Sequence, residues 1–179
     1  MKHTMRAAIL GAACLLASAG TQAEVKDATA SGFTLENSQV VPVDADTAWR
    51  ALVDGVGKWW PKDHTWWGDA ANLSIDATAG GCFCERHGAQ QAQHMTVVFV
   101  DPGQTLRMTG GLGPLQGMGL DGALEFRLEP ADGGTKITLW YRVGGYTPDD
   151  LSKFVAVVDR VQAQQLGGLA DYIRQGARK

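Results

Sequence analysis

The chain has 179 residues, with 16 basic and 19 acidic side chains and a formal net charge of −3. This length suits one domain with a single sizeable core. The slightly acidic balance argues against binding to nucleic acid or to an anionic membrane surface, because both select basic proteins.

Residues 1–23 have the pattern of a cleavable export signal. Lys2 and Arg6 make a positive start, and an apolar run follows over residues 7–19. This run is too short to cross a bilayer, which needs about 20 residues. Small residues at Thr21 and Ala23 suit cleavage after Ala23, so we expect the mature protein to lie in the periplasm or outside the cell.

A lipoprotein signal ending at Cys14 is the weaker alternative, because Gly11 stands where a branched apolar residue is usual. Loss of Lys2 and Arg6 with the signal would leave 14 basic against 19 acidic residues, a net charge of −5. No later apolar run reaches membrane length, so we expect no membrane span in the mature chain. Residues 24–32 are small and polar, which predicts a flexible lead-in before a domain over residues 33–176.

The first regular elements are a strand over residues 33–43 and a helix that follows it. Asp44 or Asp46 is the expected N-cap, and Trp49, Leu52, Val53 and Val56 give the apolar spacing of a helix face. Short strands are then predicted at residues 72–76, 82–87, 93–100, 105–109, 120–128 and 135–143. The segment 120–128 alternates apolar and polar residues, as in a sheet with one buried face.

A long amphipathic helix is predicted at the C-terminal end of the chain. Thr147 is the expected N-cap, with Pro148 in the first helical position and acidic residues after it. Apolar residues then recur with the helical period to Ile173, with a slip near Gln165. Strands followed by one long helix predict an α+β fold, with that helix laid across a curved antiparallel sheet.

Four of the six tryptophans fall within nine residues: Trp59, Trp60, Trp66 and Trp67. Each indole can bury about 150–250 Å², so a small domain rarely leaves four of them in water. Pro61 and the polar residues between them exclude one regular helix face. We interpret the segment as the aromatic wall of a pocket; the alternatives are a plug at the end of the core or a surface that meets a partner.

A glycine-rich segment lies between two predicted strands, at residues 110–119. It also carries Leu112, Leu115 and Met118, and it lacks the Lys-Ser/Thr ending of a phosphate loop. These features favour an apolar flap over a pocket, or a wide hairpin connection packed on the end of the sheet.

The layout resembles the START-like superfamily, also called the SRPBCC or helix-grip fold. The features that carry the resemblance are residues 40–49, the Trp59-Trp60 pair, Gly80-Gly81 before a strand and the terminal helix. Within that superfamily it is most similar to the polyketide cyclase/dehydrase and heat-shock ATPase-activator-like branches. The resemblance implies a cavity between sheet and helix that binds lipids, sterols, polyketides or hormones, with catalysis in some members. An export signal argues against chaperone regulation, because the periplasm has no ATP supply.

Cys82 and Cys84 lie two residues apart on a predicted strand. Positions i and i+2 of a regular strand are about 6.6–6.8 Å apart, at the upper limit for a disulfide, so a bond would need a bulge. Free thiols, a disulfide and a metal site with His87 or His94 therefore remain open. The spacing matches no standard zinc motif, and we expect neither a metal nor a cofactor.

Several polar residues are candidates for acid–base chemistry. His64 stands beside Asp63, where the pair could orient a base or only cap a loop. Glu85 and Tyr141 are further catalytic candidates. Together with His94, Arg107 and Arg142 they fall on strands whose facing is unknown without the register.

We therefore predict an exported START-like protein that binds a hydrophobic small molecule, such as a lipid, between the sheet and the C-terminal helix. The expected ligand-binding residues are Trp59, Trp60, Trp66, Trp67, Leu112, Leu115, Met118 and Tyr141. The alternatives are a cyclase or dehydratase in the same cavity and a periplasmic protein-docking module. The chain lacks a decisive catalytic constellation, and it gives no specific protein partner.

Overall fold

The computed structural model describes residues 22–178, which form one eight-stranded antiparallel sheet and a long C-terminal helix. The sheet order is β1-β2-β8-β7-β6-β5-β4-β3. The strands are β1 (Gln22–Thr29), β2 (Gly32–Val41), β3 (Leu73–Ile75), β4 (Cys82–His87), β5 (Gln90–Asp101), β6 (Thr105–Thr109), β7 (Asp121–Ala131) and β8 (Gly134–Gly144). The helices are α1 (Ala45–Asp54), α2 (Val56–Trp59), α3 (Pro114–Gly117) and α4 (Val155–Gly176). The predicted α+β helix-grip fold is confirmed.

The prediction of a flexible lead-in over residues 24–32 is wrong for most of that segment. Residues 22–29 form β1, which pairs antiparallel with β2 at the edge of the sheet. Backbone hydrogen bonds hold an edge strand, so the exposed and largely polar side chains of residues 24–29 do not prevent pairing. The predicted signal peptide falls mainly on residues 1–21, which lie outside the described residues.

Helix α1 begins at an N-cap that the sequence predicts, but it ends at Asp54, so Val56 belongs to the next helix rather than to the same face. Asp44 is its N-cap, and its carboxylate accepts a hydrogen bond of 2.7 Å from the backbone N–H of Thr47. Gly55 ends it, and the short helix α2 then brings Trp59 and Trp60 into the core.

The start of the C-terminal helix differs from the prediction at Thr147. Thr147 accepts a hydrogen bond from the N–H of Asp149, but no helical turn follows directly. Asp150 instead accepts from the N–H of Ser152 and caps a 3₁₀ turn over Leu151–Phe154, and α4 begins at Val155. The nearer carboxylate replaces the threonine as the cap, which moves the helix start downstream.

Helix α4 lies against β2 and against α1 and α2, and the apolar core fills the space between helix and sheet. Gly168 permits this approach, since a β-carbon there would overlap the carbonyl oxygen of Trp59. Three bulges, in β1, β5 and the β4–β5 pair, bend the sheet. No helix within residues 22–178 is long and apolar enough to cross a membrane.

Candidate functional site

A cavity of about 440 Å³ lies between the sheet and α4, at the end of the molecule that carries the tryptophan segment. Its walls come from four places: the loop after α2, the glycine-rich flap, strands β5 and β8, and one face of α4. The apolar lining residues are Trp60, Trp66, Leu112, Pro114, Leu115, Met118, Phe154, Val157, Val158 and Val161.

Two of the four clustered tryptophans line the cavity. Trp60 is buried, and its indole Nε1 donates a hydrogen bond of 3.0 Å to the carbonyl oxygen of His64. Trp66 is 49% exposed and lies at the mouth. One indole therefore forms part of the inner wall, and the other meets both the cavity and solvent.

Trp59 and Trp67 do not line this cavity, which corrects the predicted four-tryptophan wall. Trp59 is buried in the core, where its ring meets Phe126 edge-on and its Nε1 donates to the carbonyl oxygen of Leu52. Trp67 lies outside, stacked on the imidazole of His87 at 6.5 Å. Neighbouring residues in a turn point in different directions, so the cluster divides between core, cavity and surface.

The glycine-rich segment both covers the cavity and packs on the end of the sheet. Leu112 and Leu115 are buried, and with Met118 they face the cavity. Gly113 has φ +58°, a conformation that favours glycine, and the short helix α3 follows it. The side-chain amide of Gln116 donates a hydrogen bond of 2.7 Å to the carbonyl oxygen of Gln93, which ties the flap to β5.

Three buried polar side chains stand out against the apolar lining. Tyr141 on β8 is 1% exposed, and Gln162 and Gln165 on α4 are buried to a similar extent. Both amide atoms of Gln162 and the amide oxygen of Gln165 have no hydrogen-bond partner within the described residues, and the hydroxyl of Tyr141 has at most the backbone N–H of Leu112, which leaves its own proton without an acceptor. An unpaired buried polar group costs about 1–3 kcal/mol, so three at one cavity mark a place where a partner is expected.

Burial raises the pKa of the Tyr141 hydroxyl to about 12, although the nearby backbone N–H of Leu112 opposes this shift. Tyr141 therefore stays protonated at neutral pH and is available as a hydrogen-bond donor. Sequence reasoning placed Tyr141 at the cavity but missed the two glutamines. The signal for them was the slip in the apolar period of the terminal helix near Gln165.

Glu85 and His94 form a buried pair behind the mouth of the cavity. Glu85 is fully buried, and its Oε2 lies 3.2 Å from Nε2 of His94. The same carboxylate accepts hydrogen bonds from the backbone N–H groups of Trp66, at 2.9 Å, and of Trp67, at 3.0 Å. One carboxylate thus holds both a cavity histidine and the loop that carries Trp66.

Burial lowers the pKa of His94, and the neighbouring Glu85 carboxylate only partly opposes this effect. The neutral imidazole therefore predominates at neutral pH. A carboxylate accepts only, so we assign the ring proton to Nε2, which leaves Nδ1 as the lone-pair nitrogen. His94 lines the cavity, whereas Glu85 lies behind it.

A model of the polyketide cyclase/dehydrase and lipid transport family matches residues 32–174. The chain belongs to this family. A search of curated proteins finds no match.

Several solved structures share the fold of this chain at low sequence identity. An uncharacterised protein of Rhizobium leguminosarum is 15% identical with a TM-score of 0.61, over 87% of this chain and 98% of its own. The Aha1 dimer of Colwellia psychrerythraea is 19% identical with a TM-score of 0.57, over 80% and 97%. CalU16 of Micromonospora echinospora is 15% identical with a TM-score of 0.55, over 89% of each chain. At these identities the likeness shows the fold alone.

In this family member Cys82 and Cys84 form a disulfide, with Cα atoms 5.3 Å apart. This distance is shorter than the roughly 6.6–6.8 Å of a regular strand, so β4 bends at Phe83, next to the point where its pairing with β5 shifts. The same shift leaves His94 of β5 without a partner residue in β4. The alternation of inward and outward side chains along β5 is interrupted there, so the sequence alone did not predict that His94 faces the cavity. Among residues 22–178 no group of three or more His, Cys, Asp or Glu side chains is placed to hold a metal.

The other predicted polar candidates divide between the cavity and the outer surface. His64 and Asp63 line the cavity, and Nδ1 of His64 is buried without a hydrogen-bond partner. Arg107 pairs with Glu125, and Arg142 lies over the Trp140 ring at 5.4 Å. Both arginines are outside the cavity lining, so they stabilise the sheet surface rather than the site.

Proposed function

We propose that this protein binds a hydrophobic small molecule in the cavity between the sheet and α4. The observation that carries the proposal is the cavity itself, about 440 Å³ in volume and walled mainly by aliphatic side chains and two indoles. Sites for drug-sized ligands occupy about 300–1,000 Å³ and combine an apolar lining with a few polar groups. Membership of a family described as polyketide cyclase/dehydrase and lipid transport supports the same function.

We also propose that the protein works in the periplasm or outside the cell. The charged start, the apolar run and the small residues before Glu24 support export. The Cys82–Cys84 disulfide supports it as well, because disulfides persist mainly in oxidising compartments. Fractionation of cells that express the full chain tests this: the proposal requires a processed form in the periplasm or medium and fails if the protein stays unprocessed in the cytoplasm.

The binding function is tested by titration with the uncharged dye Nile red, followed by dye fluorescence. Trp66→Ala removes an indole from the cavity mouth and is expected to weaken dye binding several-fold. Trp67→Ala is the matched control, since Trp67 is the next residue but lies outside the cavity. Absence of dye binding to the native protein, or equal weakening by both variants, contradicts the proposal.

A second candidate function is acid–base catalysis on a bound carbonyl compound. The specific observation in its favour is the Glu85–His94 pair, in which a buried carboxylate orients a cavity imidazole whose second nitrogen is free to accept a proton. His94 would remove a proton next to the carbonyl group, and Tyr141 would donate a hydrogen bond to the carbonyl oxygen. Turnover of hydroxy-ketone probes that is lost in His94→Gln with retained Nile red binding supports catalysis; binding without turnover leaves a carrier.

A further inference from the structure

We propose, resting on the binding function above, that the natural ligand is uncharged and carries at least two hydroxyl or carbonyl groups on an apolar or aromatic body. Its oxygen atoms pair with Tyr141, Gln162 and Gln165. Plain hydrocarbons and carboxylate lipids are poor ligands of the same cavity.

The polar side chains stand on the two walls of the cavity. Tyr141 comes from β8, where its neighbours across the sheet are Leu35 and Leu124. Gln162 and Gln165 come from α4, three residues apart and therefore on one helix face. The rest of that face toward the cavity is apolar, so the two glutamines form a polar spot on the helix wall.

The unpaired atoms define what the ligand must offer. The amide nitrogen of Gln162 needs an acceptor, whereas the amide oxygens of Gln162 and Gln165 need donors. The Tyr141 hydroxyl can donate to a carbonyl oxygen or exchange hydrogen bonds with a hydroxyl group. A ligand hydroxyl group can donate a hydrogen bond to a glutamine oxygen. A ligand hydroxyl or carbonyl oxygen can accept a hydrogen bond from the Gln162 amide nitrogen or from the Tyr141 hydroxyl. A ligand with a single hydroxyl or carbonyl group would therefore leave some of these protein atoms unpaired.

The charges around the cavity disfavour an anionic ligand. Among residues 22–178 no Lys or Arg lines it, and its ionisable lining residues are Asp63, His64, His94 and Tyr141. The Glu85 carboxylate lies directly behind His94. A carboxylate or phosphate head group would lose its hydration without gaining a cationic partner. Asp63 is exposed, so its carboxylate does not compensate a buried cation either.

Two indoles set the shape of the apolar part. Trp60 forms part of the inner wall and Trp66 the mouth, and the flap residues Leu112 and Leu115 close one side. A flat ring system offers the contact that indole faces favour. Oxygenated ring compounds therefore fit both the walls and the polar spot.

Calorimetric titration tests the inference with three compounds that share the naphthalene ring system: 2,6-dihydroxynaphthalene, naphthalene and 2-naphthoate. We expect the diol to bind at least about tenfold more tightly than the other two. Gln162→Leu and Tyr141→Phe, which keep the side-chain shape, should each weaken the diol several-fold and leave naphthalene unchanged or slightly tighter. Gln164→Leu is the control, because Gln164 is an exposed residue of the same helix.

The two proposals fail in different ways. If Nile red binds but naphthalene or 2-naphthoate binds as tightly as the diol, the ligand class is wrong and the binding function stands. The same holds if Gln162→Leu and Tyr141→Phe both leave the preference intact. If neither the dye nor any naphthalene binds, both proposals are overturned. A diol preference that both variants reduce supports the inference.

Discussion

Nε2 of His94 lies 3.2 Å from Oε2 of Glu85, and both side chains are buried, His94 in the cavity wall and Glu85 outside the lining. Because the same carboxylate accepts the backbone N–H groups of Trp66 and Trp67, it joins β4, β5 and the tryptophan loop. The position of the mouth residue Trp66 therefore depends on one buried charge. A buried carboxylate is stable only when its oxygens are satisfied, as they are here by three donors.

Replacement of Glu85 by Gln is expected to lower the free energy of unfolding by about 3 kcal/mol. The amide offers one acceptor oxygen in place of two and turns an NH₂ group toward donors. Chemical denaturation measures the loss, and hydrogen exchange at the Trp66 and Trp67 amides should become faster. Glu129→Gln is the control, since Glu129 is an exposed residue of β7. An unchanged exchange rate at both amides contradicts the proposed role of the carboxylate.

The lowered pKa of His94 predicts a specific pH dependence of stability. Above the unfolded-state pKa of about 6.5 the imidazole is neutral in the folded and in the unfolded protein, so its contribution to the free energy of unfolding is fully present. As the pH falls from there through the lower folded-state pKa, the unfolded chain takes up the proton first and stability is lost.

Denaturant unfolding at pH 7.5 and at pH 5.5 measures this effect. The free energy of unfolding should decrease less from pH 7.5 to pH 5.5 in His94→Gln than in the native protein. His87→Gln, at an exposed imidazole, should keep the native decrease. Equal decreases in all three proteins would show that His94 does not contribute.

The polar spot at the cavity is expected to lower the stability of the unliganded protein. Gln162→Leu removes two unpaired buried amide atoms while keeping the side-chain volume, so the free energy of unfolding should rise by about 1–2 kcal/mol. Thermal unfolding detects this as a higher Tm, and Gln164→Leu should change it little. A lower Tm in Gln162→Leu would mean that the amide is satisfied in the unliganded protein.

Much of the fold was predictable because its signals are local. The Asp44 cap, the alternation over residues 120–128 and the apolar period of α4 each lie within a few residues of sequence. The edge strand β1 gave no such signal, because its stability comes from backbone pairing with β2 rather than from buried side chains.

The candidate site was predictable only in part. Apolar residues such as Leu112 and Leu115 were identified by composition, and Tyr141 by its place on a strand. The Glu85–His94 pair was not, since its two members approach only through the bulge between Phe83 and Cys84. Likewise, the sequence does not show that Trp66 faces the cavity while Trp67 turns away, because that depends on the loop geometry set by Glu85.

Close contact between α4 and α2 gives a further prediction at two adjacent glycines. Gly168→Ala places a methyl group against the carbonyl oxygen of Trp59 and should lower the free energy of unfolding by about 1–3 kcal/mol. Gly167→Ala meets open space and should stabilise the helix by up to about 1 kcal/mol. Urea unfolding of both variants measures the difference. Equal effects of the two substitutions would contradict the close approach.

The disulfide between Cys82 and Cys84 closes a very short loop, so its effect on the unfolded chain is small. Chain entropy for a loop of three residues predicts a contribution of about 1–2 kcal/mol. The double substitution Cys82→Ser with Cys84→Ser should therefore lower the free energy of unfolding by no more than that, and Nile red binding should persist. Intact mass before and after reduction of the native protein measures the bond directly, through the added mass of two hydrogen atoms. A loss of several kcal/mol in the double variant would mean that the bond also fixes the bulge that brings His94 to Glu85.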